Sequence, residues 1–164
     1  MKKILAIALV LIMMLSVVAC GDKQQKAYDS LVDWVLENGK VYGDDAEIRD
    51  GNYFLLYSAS EETLHVGYTD NTRTVSVNLF AKDKVFNYWY YYKGVRIAQG
   101  TIDGSTYTAE SPIKCEVYNG ASEYRSKHLD DARIYCNSAI RWLKKYLEEN
   151  VPEISIKDLG FEVY

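Results

Sequence analysis

Between Ser122 and Glu149, Leu129, Ala132, Tyr135, Cys136, Ala139, Ile140, Trp142, Leu143, Tyr146 and Leu147 recur at helical spacing. At roughly 100° per residue they cover an arc of about 160°, with Arg133, Arg141, Lys144, Lys145 and Glu148 on the opposite side. An ordinary surface helix buries a stripe of about 100°. A wider arc needs a curved partner, so the helix predicts a sheet that cradles it. Asn150, Val151 and Pro152 end the pattern.

The preceding residues supply that sheet. From Asn52 onward the apolar period becomes two, and turn residues return every 8 to 12 positions. Strands are expected at Tyr53–Ser58, Leu64–Thr69, Thr74–Phe80, Val85–Tyr92, Val95–Ile102, Thr106–Glu110 and Ile113–Tyr118. Thr74–Phe80 is the clearest, because Val75, Val77 and Leu79 alternate with Thr74, Ser76 and Asn78. A short first helix is expected from Lys26 to Asn38 on the spacing of Ala27, Tyr28, Leu31, Trp34 and Val35, with Gly39 as its stop. Asp44, Asp45, Glu47 and Asp50 read as a solvated acidic connector, because their spacing does not fit a calcium loop. After the long helix, Ser155 is placed to cap one short turn, and Phe161, Val163 and Tyr164 suggest an edge strand. The fold class is α+β: an antiparallel meander of about six or seven strands, open to curling into a half-barrel. A short N-terminal helix flanks it and the long C-terminal helix packs on it.

The N-terminal residues do not belong to this domain. Lys2 and Lys3 precede an apolar run from Ile4 to Val18, broken only by Ser16, and Ala19-Cys20 follows. That order is the pattern of a secretion signal, and a helix of about 22 Å is too short to span a bilayer core of about 30 Å comfortably. Val17-Val18-Ala19-Cys20 resembles the lipobox of bacterial lipoproteins. The resemblance covers the leader alone. It implies that Cys20 receives a diacylglyceryl group and that cleavage falls before it; in that family the new amino terminus is often acylated as well. Two or more acyl chains give stable anchoring where one gives marginal binding. The expected organisation is a signal peptide over residues 1–19, a short tether over 20–25 and a single domain over 26–164, lipid-anchored and facing outside the cytoplasm.

Without its leader the chain has 17 basic and 23 acidic residues, a net charge of −6, spread along its length. A general nucleic-acid binder is not expected. Tyrosine is the compositional outlier, with 15 residues, all after the leader. Tyr88, Trp89, Tyr90, Tyr91 and Tyr92 form an unbroken aromatic run that a strand must divide between its two faces. A two-residue loop at Lys93-Gly94 puts Tyr88, Tyr90 and Tyr92 on the face of Val95 and Ile97, whereas a three-residue loop with a glycine bulge puts Trp89 and Tyr91 there. The run is the candidate binding face for a protein or an envelope polymer; its alternative role is cross-strand packing.

Cys115 and Cys136 fall in phase with inward-facing neighbours, and both point at one core. They are a candidate disulfide, stabilising by about 3 kcal/mol, or two buried thiols. The chain has two histidines, His65 and His128, neither with a partner at metal-ligand spacing. His65 alternates with Leu64 and Val66 and belongs to the outer face of its strand. No nucleophile elbow, zinc-protease motif or phosphate loop occurs in the sequence, so no catalytic residue, metal or cofactor is assigned. The expected role is non-enzymatic binding through the tyrosine-rich sheet face. The alternative is a small hydrophobic ligand held between the sheet and the long helix near Trp142 and Tyr146.

Overall fold

The computed structural model describes residues 23–80, 84–104, 114–117 and 125–162, with the backbone alone at 114–117 and 125–127. Helix α1 (residues 23–38) is followed by β1 (Lys40–Tyr42), β2 (Asp45–Asp50), β3 (Tyr53–Ser58), β4 (Thr63–Thr69), β5 (Arg73–Asn78), β6 (Val85–Tyr92), β7 (Val95–Asp103) and β8 (Lys114–Val117). Helix α2 (Arg125–Asn150) and a series of turns over residues 151–162 complete the described chain.

The strands form one sheet in sequence order, and every adjacent pair is antiparallel. Among the described residues β1 and β8 do not pair, so the meander stays open. This is the α+β architecture expected, with one hairpin added. The stretch expected as an acidic loop folds as β1 and β2. Ala46, within β2, is buried, while Asp45 and Glu47 stay at the rim: Asp45 accepts a hydrogen bond from the Ala59 N–H at 2.8 Å, and Glu47 pairs with Arg49. Carboxylates along an outermost hairpin suit a strand edge, where charge discourages pairing with another chain. Among the described residues no group of three metal-ligating side chains converges.

One face of the sheet packs against both helices. Leu55, Leu64, Val66, Val75, Val77, Phe86, Tyr88 and Tyr90 form the sheet side of this core, and Leu31, Val35, Ala132, Cys136, Ala139, Ile140, Leu143 and Leu147 form the helix side. The apolar arc of α2 is thus buried along its centre, with Leu129, Tyr135, Trp142 and Tyr146 half-buried at its margins. Trp142 stacks on Tyr53 at 5.6 Å and touches Tyr146, whose hydroxyl accepts from Trp34 Nε1 at 3.3 Å. These aromatic side chains line the region named for a hydrophobic ligand. Cys136 is wholly buried in the same core. The side chain of Cys115, and with it the candidate disulfide, lies outside the described residues, as do the leader with Cys20, the strand expected at Thr106–Glu110, and Val163 and Tyr164.

The ends of the chain differ from expectation in two ways. Helix α1 begins three residues earlier than Lys26 and takes in Lys23, Gln24 and Gln25. The Gln24 amide donates to the Leu159 carbonyl at 3.1 Å, and Lys23 pairs with Asp158 at 2.6 Å, so long-range contacts hold a first turn that has no apolar periodicity. Phe161 carries no strand. It stacks on Phe86 at 3.8 Å and is buried, while Ser155 caps the preceding turn as expected, its hydroxyl accepting from the Asp158 N–H.

Candidate functional site

The β6–β7 turn decides how the aromatic run divides. Tyr92 pairs directly with Val95, and Lys93 and Gly94 both have left-handed φ values, 50° and 75°, the geometry of a two-residue hairpin whose twist suits the flanking strands. Tyr88 and Tyr90 therefore turn to the helices, where both are 0% exposed. They cannot belong to an exposed binding face. Tyr92 packs at the rim of the same core, 4.4 Å from the ring of His128. A register shift between Tyr90 and Tyr91 leaves Ile97 as the extra residue on β7, and Ile97 and Ala98 are both buried on the helix side. Only Trp89 and Tyr91 remain on the outer face.

That outer face holds a cleft of about 430 Å³ lined by Leu56, Ser58, Glu61, His65, Ser76, Trp89, Tyr91 and Arg96. Five consecutive strands, β3 to β7, and the β3–β4 turn contribute to it. Register brings them together: Leu56 lies opposite His65, Ser76 opposite Trp89, and Tyr91 opposite Arg96. Gly67 lies opposite Ser76 and has no room for a side chain, because a Cβ there would overlap the Phe54 ring and the Val75 carbonyl oxygen.

His65 forms the floor. As expected from alternation it lies on the outer face, yet it is only 6% exposed, beneath the tilted ring of Trp89 at 5.9 Å. Its Nε2 is 2.9 Å from Thr63 Oγ1 and 3.3 Å from Glu61 Oε2, and its Nδ1 is 3.3 Å from Ser76 Oγ. A neutral ring protonated at Nε2 donates to the Thr63 and Glu61 oxygens and accepts at Nδ1 from the Ser76 hydroxyl. Burial lowers the His65 pKa below the usual histidine value, against the opposing pull of the Glu61 carboxylate.

The sign of the resulting pH effect follows from proton linkage. The unfolded chain takes up a proton on this histidine near pH 6.5, before the native protein does. Native stability is therefore complete above that pH and declines as pH falls through the lowered native value, by at most about 1.4 kcal/mol per pH unit. Urea denaturation at a series of pH values should show the wild type losing stability below pH 6.5 more steeply than His65→Gln. Parallel profiles would contradict the assignment.

A second polar cluster lies between the sheet and α2. Asp131 Oδ2 accepts from the Tyr90 hydroxyl at 3.4 Å and lies 3.5 Å from Arg73 Nε and 3.4 Å from His128 Nδ1. The Arg73 guanidinium also sits over the Tyr135 ring, which stacks on Tyr68 at 4.6 Å. Burial, followed by the Asp131 carboxylate, raises the Tyr90 pKa and keeps the phenol protonated. This cluster joins β5, β6 and α2 through groups that engage one another, with Arg73 and Asp131 each about a third exposed at its margin, whereas the outer cleft is open to a ligand.

Of the residues predicted for a site, the structure brings Trp89 and Tyr91 into the cleft and removes Tyr88 and Tyr90 from it. Sequence reasoning did not find Glu61, Ser76 or Arg96. Alternation alone places Leu56, His65, Ser76 and Trp89 on one face; the missing information was which residue of each strand stands beside which. Compared with known proteins, the chain matches no family model, no curated protein and no solved structure.

Proposed function

We propose that the protein is a membrane-anchored, extracytoplasmic lipoprotein that binds a glycan of the cell envelope in the outer cleft, without catalysis. The observation that carries this reading is the composition of the cleft. Trp89 and Tyr91 stand side by side on β6, and Ser58, Glu61, His65, Ser76 and Arg96 surround them. Aromatic faces receive the apolar C–H face of a sugar ring, while polar groups at their edges exchange hydrogen bonds with its hydroxyls. The volume, about 430 Å³, falls within the range of small-ligand sites. The net negative charge and the open, polar rim suit a neutral polymer better than nucleic acid.

The contact between Ser76 and His65 does not make a persuasive acyl-transfer site. Ser76 sits within a central strand, paired with Gly67 on one side and Trp89 on the other. Its backbone is engaged in the ladder and is not arranged as a donor for an oxyanion.

Co-sedimentation with purified, insoluble cell-wall glycan tests the reading. The wild type should bind, and Trp89→Ala should weaken binding tenfold or more, a loss of about 1.4 kcal/mol or greater, as expected for an aromatic anchor. Tyr91→Ala, which leaves the cover of His65 in place, should weaken it in the same direction. Failure of the wild type to sediment, or unchanged binding by both variants while they remain folded, would reject the proposal.

A further inference from the structure

We infer that the end of the domain at which α1 begins is a bilayer-contact face, with Phe80 and Val85 seated among the phospholipid headgroups. The inference rests on the lipid-anchor reading of Cys20 and is independent of what the cleft binds. Its first support is the length of chain available. Helix α1 starts at Lys23, three residues after Cys20, and an extended chain spans at most about 3.6 Å per residue, so the start of α1 lies within roughly 11 Å of the acylated residue.

That start is fixed to the rest of the domain. Lys23 pairs with Asp158, Gln24 donates to the Leu159 carbonyl, and the segment continues through Phe161, whose ring stacks on Phe86. Val85 is the neighbour of Phe86, and Lys84 lies 3.8 Å from Glu162. Tyr28, in the second turn of α1, meets the Phe80 ring edge-on at 5.4 Å. Phe80 is nevertheless 40% exposed and Val85 44% exposed. Two large apolar side chains thus face outward at the end of the molecule that the anchor holds closest to lipid.

Charge at this end is compatible with a headgroup layer. The Asp158 and Glu162 carboxylates are each engaged by a lysine, Lys23 and Lys84, and Lys157 is exposed beside them. Asp103, exposed opposite Val85, sets three carboxylates against the three lysines, so the apolar side chains sit among balanced charges, which the interfacial zone of a bilayer accommodates with ammonium groups at the phosphates.

Other exposed apolar residues provide internal controls. Val95 is at the opposite end of the β6–β7 hairpin, about 23 Å from Val85 along eight residues of strand. Val41 follows the far end of α1, about 22 Å from Lys23 along 16 residues of helix. Both are 62% exposed, more than either residue of the proposed face.

The test uses the full chain, expressed with its leader and reconstituted into liposomes of phosphatidylcholine and phosphatidylglycerol. A benzophenone-bearing phenylalanine is introduced in turn at Phe80, Val85, Val41 and Val95, and lipid adducts are measured after illumination. Adducts at positions 80 and 85 should exceed those at 41 and 95 severalfold. Equal yields at all four positions, with the protein still bound to the liposomes, would overturn the contact face and leave the anchor standing. In parallel, Cys20→Ala should lose its membrane association; its retention in the membrane fraction would overturn the anchor reading and this inference with it.

Discussion

Gly67→Val should lower stability by about 3 kcal/mol and the melting temperature on the order of 10 °C, measured by thermal denaturation and urea titration. The reason is geometric. Gly67 sits mid-strand in β4, where a Cβ would overlap both the Phe54 ring and the Val75 carbonyl oxygen. A flexible side chain could withdraw from such a clash, but the carbonyl belongs to β5, paired with β4 along five residues. Moving it breaks ladder hydrogen bonds at the centre of the sheet. The Phe54 ring is itself buried beneath Arg49, so withdrawing it from the new methyl groups also disturbs that contact. Gly67→Ala should lose less than valine, because it adds the clash without the two branched methyls. A valine variant as stable as the wild type would show that β4 and β5 separate more easily than their pairing implies.

Phe86→Ala should destabilise by about 3–5 kcal/mol, the range for removing a wholly buried phenylalanine. The Phe86 ring is 0% exposed, packs against Phe161 and lies beside Gly104 and Gly160. Two walls of that space are glycine backbone, which has no side chain to fill it. The effect should be regional as well as global: amide exchange at Leu159, Gly160 and Phe161 should accelerate more than at Val66 or Val77 in the middle of the sheet. Phe86→Leu, which restores much of the volume, should recover most of the loss. Uniform acceleration across all these amides would mean that the C-terminal turns and the sheet unfold as one unit.

The sequence was most legible where one periodicity dominates. The arc of α2 predicted both the helix and its burial, and Val75 and Val77 marked β5, although the strand ends at Asn78, whose side chain accepts the Phe80 N–H and turns the chain. It was least legible where an element is held by distant partners. Asp45–Asp50 has few apolar residues and carboxylates that are poor strand formers, so it reads as a loop until β3 is there to pair with it. Lys23, Gln24 and Gln25 show no periodicity, because contacts more than 130 residues away define that turn. The cleft was hidden for the same reason. Trp89 and His65 are 24 positions apart in sequence and become neighbours only through two strand registers that local pattern does not specify.

The order of the sheet bears on how the chain assembles. Because, among the described residues, each strand pairs only with the strands before and after it, hairpins can close one by one without waiting for distant partners. The opening helix has no such independence. Tyr28 meets β4 through the Leu64 N–H, but the indole of Trp34 bonds to Tyr146 and the first turn rests on Leu159, so the helix completes its contacts only with α2 and the turns after it. The turn around Asp158 and Leu159 thus acts as a latch on the start of α1.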